Sequence, residues 1–333
     1  GYMEGRETII LRDADKRDIE YEDKPHIRQM RMLVEKYNSL IEKTFIDIPY
    51  LDRPRIELPD KTNRRRTNKP VFVNITHHDK FFRRIFNNSS FFDGGRFYGG
   101  WWQRIDSKYR SEIRMNDMPT VEIDYSSLHI ILAYNEVGLN YWQGTDKDPY
   151  DLPVRGVNNK EHCRDICKLF LLLSLNASNE QSLFRAFRSE LNYREYAYSF
   201  PDEVLAELLD TIKTHHNEIK HLICSGAGLR LMNKDSRICE YVISEFLKTD
   251  TPILTVHDSF IVQMGAEDKL HQAMRDAFEV VTYQTSSKVK YNENLTKQQW
   301  YAHGAQDRNF FYDMYLNIFK SKPSNGYKAR LKR

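Results

Sequence analysis

The segment ILTVHDSFIVQM, residues 253–264, constrains the fold of this chain most, because its two apolar runs are interrupted only by the polar triplet at 257–259. This pattern predicts two short strands joined by a tight turn, with polar residues only at the tip of the hairpin. A second short, β-branched and alternating run, TVEID at 120–124, also ends in an aspartate. Adjacent strands would bring Asp124 and Asp258 side by side.

Two carboxylates on neighbouring strand ends form a hard, anionic oxygen site of the kind that suits Mg²⁺. Two such ions can activate an attacking hydroxyl group and stabilise the leaving oxygen in phosphoryl transfer. An aspartate at a strand end is more often only a turn former, so the pattern by itself leaves both interpretations open.

Helical periodicity dominates the remainder of the chain. Apolar residues recur at helical spacing in five segments: 26–45, 159–175, 183–193, 203–223 and 233–248. Residues 46–70 contain four prolines and many charges, which predicts an extended linker or loop. The glycines between 94 and 100 predict a second, tighter break.

Composition indicates a globular chain with a sizeable core, since 333 residues include 40% hydrophobic and 29% charged residues. No apolar run approaches the roughly 20 residues that span a bilayer. Four irregularly spaced cysteines do not form a disulfide framework, and we therefore expect a cytoplasmic protein. The net charge of +3 does not by itself indicate a nucleic-acid partner. Basic clusters at 63–69, 77–84 and 315–333 would suit phosphate neutralisation, or would simply be solvated faces.

Two sequence motifs connect the aspartates to a known superfamily. VEIDYSSLH at 121–129 resembles motif A of family A (DNA polymerase I-like) DNA polymerases, and TVHDSFIV at 255–262 resembles motif C of the same superfamily. The His-Asp-Ser-Phe wording of the second motif is similar to that of phage-type single-subunit RNA polymerases. The resemblance implies that Asp124 and Asp258 hold two Mg²⁺ or Mn²⁺ ions and that the backbone carbonyl of Tyr125 completes a metal shell.

The predicted helix at 159–175 resembles motif B, the fingers helix of these polymerases. Arg164 and Lys168 are spaced i, i+4 and therefore share one face. The resemblance implies that both contact the incoming nucleoside triphosphate and that Lys168 protonates the leaving pyrophosphate. Asn176 occupies the position at which the family usually has a stacking tyrosine. His129 occupies the position of the glutamate that helps DNA polymerases to exclude a ribose 2′-hydroxyl, so both residues enter the expected nucleotide site.

The segment DGGRFY at 93–98, followed by WQRI at 102–105, resembles the Gly-Arg segment that lies against primer and template. The resemblance implies nucleic-acid contacts by five residues: Arg96, Gln103, Arg104, Asn233 and His257.

The resemblance implies an α+β fold, the right-hand polymerase, with a palm built on a small antiparallel sheet, helical fingers and a reduced N-terminal thumb-like region. The expected boundaries place a helical, thumb-like or template-gripping region at 1–92 and palm with motif A at 93–139. Fingers with motif B follow at 140–225, and palm with motif C and a basic tail at 226–333.

The implied reaction is template-directed nucleotidyl transfer, in which a primer 3′-hydroxyl attacks a nucleoside triphosphate and pyrophosphate leaves. The implied partners are a DNA primer–template, or RNA, together with nucleoside triphosphates and an accessory protein, but no membrane. His129 and Ser259 favour an alternative within the superfamily: an RNA polymerase, a primase-like enzyme or a template-independent transferase. A third alternative is a polymerase-derived nucleic-acid-binding protein that has lost catalysis.

Overall fold

The computed structural model describes residues 6–58, 70–78, 80–191, 196, 198–284, 289–291 and 322–333. Within these ranges the strands are β1 (Ile9–Arg12), β2 (Asp18–Ile19), β3 (Ile46–Asp47), β4 (Arg55–Leu58), β5 (Val71–Asn74), β6 (Arg83–Asn87), β7 (Ser90–Tyr98), β8 (Arg114–Met115), β9 (Met118–Tyr125), β10 (Ile253–Val256), β11 (Ser259–Gln263) and β12 (Val289–Tyr291). The helices are α1 (Pro25–Glu42), α2 (Ser107–Arg110), α3 (Leu128–Glu136), α4 (Tyr141–Gly144), α5 (Lys160–Asn176), α6 (Glu180–Leu191), α7 (Asp202–His215), α8 (Gly228–Leu247), α9 (Glu267–Thr282) and α10 (Asn325–Leu331), with 3₁₀ turns at Trp101–Arg104 and Asn217–Leu222.

A mostly short-stranded antiparallel sheet lies at the centre of the fold, in the strand order β10-β11-β9-β8-β3, and β12 pairs with the end of β9. The predicted hairpin is confirmed, because β10 and β11 pair directly from Ile253↔Val262 to Val256↔Ser259. The predicted strand at 120–124 is the centre of β9. Small antiparallel sheets combined with helices make this an α+β fold.

A second sheet has the order β2-β1-β6-β7 and lies in the N-terminal part of the chain. Its long strand β7 runs through Gly94 and Gly95 and ends at Tyr98, so the predicted break was wrong for the first pair of glycines and is confirmed at Gly99 and Gly100. The prediction of a linker at 46–70 was wrong in part, because β3 and β4 both fall in this range. Sequence periodicity misses such strands because they are short and gain their stability from distant partners.

The helical segments are largely as predicted. Helices α1, α5, α6 and α8 coincide with predicted segments to within a few residues. The predicted helix at 203–223 instead divides after His215, and a 3₁₀ turn follows. The division occurs where the buried ring of His216 contacts the Tyr134 hydroxyl at 2.8 Å and the Pro149 carbonyl at 2.8 Å. No helix in the described ranges is both long and apolar enough to cross a membrane.

Helix α8 connects the parts of the fold that matter for the site. It packs against β7 of the N-terminal sheet and against α9 and α3. Its buried face carries Leu231, Ile238 and Val242, but also the almost fully buried carboxylate of Asp235. Since a buried carboxylate is costly unless it is paired, the surroundings of Asp235 require an explanation.

Candidate active site

The pairing of β9 with β11 brings the two predicted aspartates together. Asp124 lies directly opposite Ser259 in this ladder, and Asp258 immediately precedes Ser259 at the hairpin tip. Residues that face each other across an antiparallel pair have Cβ atoms about 5 Å apart. Two residues 134 positions apart in sequence are therefore neighbours because of one strand register.

A cavity of about 380 Å³ opens beside this pair. Nine of the sequence-predicted site residues line it: Arg96, Asp124, Tyr125, His129, Arg164, Lys168, Asn176, His257 and Asp258. Ser126, Ser127, Leu128, Tyr150 and Leu172 complete the lining. Carboxylates from the central sheet therefore face cationic side chains from α5 and β7 across one space.

Helix α5 forms the cationic wall of the cavity. The Arg164 guanidinium pairs with Asp148 and lies 5.4 Å from the ring centre of Tyr150, so it is held from two sides. Lys168 follows one turn later on the same face and also lines the cavity. Asn176 lies near the end of the helix, where its side chain packs closely against Gly228 of α8.

Arg96 reaches the cavity from β7 because that strand contains a β-bulge. Ile85 of β6 pairs with Arg96 and Phe86 pairs with Gly94, so Gly95 is the extra residue. Gly94 and Gly95 have φ values of +72° and +88°, which glycine adopts without strain. Bulges of this kind redirect the neighbouring side chain, here that of Arg96.

A carboxylate that the motifs did not indicate lies behind this wall. Asp235 Oδ2 is 3.3 Å from Arg96 Nη2 and 3.2 Å from His129 Nε2, and the residue is only 1% exposed. Burial opposes the charged form of Asp235, but the hydrogen bond from His129 and the charge of Arg96 hold its pKa below the ordinary value. One sequence signal existed: Asp235 interrupts the apolar stripe of α8 between Leu231 and Ile238.

The carboxylate of Asp258 lies in a strongly anionic neighbourhood. Burial is the largest cause that raises its pKa, and the charge of Asp235 raises it further, whereas His129 and Arg96 oppose the rise. His257, at the same hairpin tip, has a pKa lowered to about 4 by burial and then by the charge of Arg96. Its ring is therefore neutral at physiological pH, and its Nδ1 has no hydrogen-bond partner among the described residues.

These donors fit divalent metal ions of the magnesium type. Asp124 at the end of β9 and Asp258 in the adjoining turn offer hard carboxylate oxygens, and a cation between them would favour the charged form of Asp258 against the burial and the Asp235 charge that raise its pKa. Tyr125 also lines the cavity, while its buried ring directs the hydroxyl group to the Met274 carbonyl. Only the backbone of Tyr125 therefore remains as a donor toward the cavity. No cluster of three His, Cys, Asp or Glu side chains with the arrangement of a metal site occurs in the described ranges.

Three residues predicted to contact nucleic acid do not line the cavity. The Gln103 amide donates to the carbonyls of Phe97 and Thr255, both at 3.0 Å, and so joins β7 to the hairpin strand β10. The Asn233 amide donates to the carbonyls of Phe91 and Gly94 at 3.1 and 3.3 Å. Arg104 is exposed at the surface. Their contacts with nucleic acid stay predictions.

The predicted basic clusters differ in how much of them the structure describes. Residues 63–69 lie outside the described residues, as does the part of the C-terminal cluster before 322. In the described part of that cluster, Lys328 and Lys332 are exposed, whereas Arg330 pairs with the buried Asp47. Arg330 is therefore engaged within the protein.

Comparison with known proteins adds little to this geometry. No protein-family model and no curated protein sequence matches the chain. Among solved structures, the POL domain of Pol1 from M. smegmatis, in complex with DNA primer–template and dNTP, matches with a TM-score of 0.34 and 14% sequence identity. The match covers 64% of this chain and 47% of that one, so the present chain spans less than half of its length. A TM-score this low does not establish a common fold, and we therefore base the functional argument on the site.

Proposed function

We propose that this protein is a template-directed nucleotidyl transferase that extends a primer 3′-hydroxyl on a DNA template. The observation that carries the proposal is the ladder pairing that sets Asp124 and Asp258 side by side, across one cavity from Arg164 and Lys168. Paired carboxylates and facing cations are the two charge requirements of phosphoryl transfer from a metal-bound triphosphate.

The residues divide the reaction between them. Asp124, Asp258 and the Tyr125 carbonyl would hold two Mg²⁺ or Mn²⁺ ions. The chemistry that such ions supply is activation of the attacking hydroxyl group and neutralisation of phosphate charge. Arg164 and Lys168 would bind the β- and γ-phosphates. Arginine binds phosphate through two parallel N–H groups, and lysine binds it as a single point charge.

In the transfer step, the 3′-hydroxyl oxygen forms a bond to the α-phosphorus while the bond from that phosphorus to the bridging oxygen breaks. The hydroxyl proton is lost to solvent, and pyrophosphate leaves with a proton from Lys168. Arg96 and His257 would hold the primer–template, and His129 and Asn176 would contact the sugar and base of the nucleotide. His129 stands where DNA polymerases have the glutamate that helps to exclude a ribose 2′-hydroxyl. The preference for ribose or deoxyribose is therefore determined by offering the two kinds of nucleotide separately.

The decisive experiment is extension of a labelled primer–template with Mg²⁺ or Mn²⁺, in which dNTPs and rNTPs are offered separately. We expect template-dependent growth with the wild-type protein and the loss of at least about 10³-fold in rate for Asp258→Asn. The same substitution removes a like charge from the anionic cluster, so the unfolding temperature without metal should stay level or rise.

Asp250→Asn is a suitable control, since Asp250 is exposed, lies outside the cavity and occupies a positive-φ turn position that asparagine tolerates. It should leave extension unchanged. Growth that survives Asp258→Asn would contradict the proposal. Binding of primer–template without growth under any condition would instead indicate a nucleic-acid-binding protein that has lost catalysis.

A further inference from the structure

We propose that Asp235 is a positioning residue that fixes Arg96 and the Nε2-protonated ring of His129 on the wall of the cavity. The expected kinetic effect rests on the function proposed above, whereas the expected positions of the two side chains do not. Asp235 lies in none of the motifs described above.

The backbone around Arg96 is fixed by contacts that converge on the β-bulge. The Gly94 carbonyl accepts hydrogen bonds from the Asn233 amide and the Ser236 hydroxyl, both at 3.3 Å. The Gly95 carbonyl accepts from the Arg84 Nε at 2.8 Å. Helix α8 and β6 therefore satisfy the carbonyl groups that the bulge removes from the strand ladder. These contacts fix the backbone of Arg96. A further contact is needed to fix the position of its guanidinium group.

Asp235 supplies that contact and shares it with His129. Its Oδ2 lies within 3.3 Å of both Arg96 Nη2 and His129 Nε2, and these two nitrogens are 3.2 Å apart. Arginine only donates and a carboxylate only accepts. If Nε2 carried a lone pair, it would accept from Arg96 Nη2 but would face the negative oxygen of Asp235. A proton on Nε2 instead makes a charge-assisted hydrogen bond to Asp235, so the carboxylate selects this form of the ring. Arg96 and His129 are then two donors to one oxygen and do not hydrogen-bond to each other.

Asp235 adds a third carboxylate to a site that already contains two aspartates, which is energetically unfavourable. Its charge raises the pKa of Asp258, and burial opposes its own ionisation. A buried ion pair of this kind seldom gives net stability compared with apolar packing. Leucine or isoleucine would fit the apolar stripe of α8 better, so the orientation of Arg96 and His129 is the remaining physical benefit.

Kinetics can separate positioning from a merely structural role. Asn places either a neutral amide oxygen or an NH₂ group where Oδ2 meets both donors, so the charge-assisted contacts are lost. Asp235→Asn should therefore lower kcat/KM for nucleotide incorporation about 10²-fold through misplacement of Arg96. Arg96→Gln should lower it similarly. The losses should not multiply in the double variant, because both changes remove the same contact between Asp235 and Arg96. Losses that multiply in the double variant would overturn the proposal.

The same helix provides a matched control. Arg230 of α8 pairs with Glu136 of α3 at 2.8 and 2.9 Å, and neither residue lines the cavity. Glu136→Gln therefore breaks an arginine–carboxylate pair between the two helices that carry Asp235 and His129. It should lower the unfolding temperature and leave kcat/KM unchanged. If both variants merely destabilise the protein and neither changes kcat/KM, Asp235 is structural.

A spectroscopic measurement tests the proposal even if no extension is found. In protein labelled with ¹⁵N-histidine, the His129 signals are identified by their loss in His129→Gln. At a pH where the ring is neutral, we expect the wild-type ring to be protonated at Nε2 alone, and Asp235→Asn to show a mixture of the two tautomers. Protonation at Nδ1 in the wild type, or an unchanged spectrum in the variant, would overturn the proposal. Failure of extension with the expected spectra would contradict only the proposed function.

Discussion

Lys80 is a buried cation whose titration should be visible in the stability of the protein. Its Nζ donates to the Thr44 carbonyl at 2.7 Å, and burial lowers its pKa to about 8 although Glu42 opposes the shift. Between about pH 8 and the ordinary lysine value near 10.4, the unfolded chain binds the proton more tightly than the folded chain. The free energy of unfolding should therefore rise with pH in this interval.

Urea denaturation at about pH 7.5 and about pH 9.5 measures this effect, which should amount to ~1–2 kcal/mol before buried tyrosines begin to titrate. Lys80→Met retains the length of the apolar stem but cannot titrate, so its stability should change less over the same interval. Equal slopes for the two proteins would show that another group is responsible.

At the residue scale, the sequence indicated the residues that line the cavity better than the residues that support them. Asp124, Asp258, Arg164 and Lys168 were predicted because the short motifs that contain them resemble those of a known superfamily, and all four line the cavity. Asp235 was missed because its partners come from β7 and α3, more than 100 residues away. A single polar residue in an apolar stripe is a weak signal until its partners are known.

At the scale of single elements, the bulge in β7 gives a sharp prediction for Gly95. A Cβ atom at this position would lie 2.5 Å from the buried Phe86 ring, and φ is +88°. Gly95→Ala should therefore combine backbone strain with a steric clash and lower the free energy of unfolding by ~3 kcal/mol or more.

Gly138→Ala separates the two contributions in the same denaturation experiment. Gly138 has a similar φ of +76°, but a Cβ atom there would meet nothing within 4 Å. It should lose only ~1 kcal/mol through backbone strain. If the two variants lose the same amount, the packing of Phe86 against Gly95 is not a constraint on the bulge.

Helices were easier to predict than strands for a physical reason. A helix makes its backbone hydrogen bonds within one segment, so the spacing of apolar residues in that segment is enough to predict it, as in α1 and α5. The strands β6 and β7 depend on partners along β1 and on α8, and the bulge between them interrupts the alternation. The glycines at 94 and 95 were therefore interpreted as a break, although they lie within the strand that directs Arg96 to the cavity.

At the scale of the whole molecule, helix α10 connects the C-terminal end of the chain to the central sheet. The Arg330 guanidinium pairs with both carboxylate oxygens of Asp47 in β3, at 2.7 and 2.9 Å, and also donates to the Leu51 and Asp52 carbonyls. The Tyr327 hydroxyl donates to Asp117 at the turn between β8 and β9. Because β9 carries Asp124, this docking supports the sheet on which the candidate site is built.

Arg330→Met should therefore destabilise the protein strongly, because among the described residues it leaves His77 as the remaining side-chain partner of the buried Asp47 carboxylate. Burial acts to raise the pKa of Asp47, but the hydrogen bonds from His77 and Arg330 hold it below the ordinary value. We expect a loss of ~3 kcal/mol in the free energy of unfolding at about pH 7, the usual cost of breaking a buried pair on one side.

The pH dependence of that loss identifies its cause. In the wild type, the lowered pKa of Asp47 gives stability that is complete above its ordinary value and is lost progressively as pH falls from that value through the lowered one. In Arg330→Met the pKa should rise instead, so protonation relieves the buried charge already on acidification from about pH 7 toward about pH 4. The difference in stability between the two proteins should narrow over this range. Lys328→Met, which removes an exposed cation from the same helix, should show neither the loss nor the narrowing. A difference that stays constant with pH would indicate that Arg330 acts through its carbonyl contacts and packing rather than through the charge of Asp47.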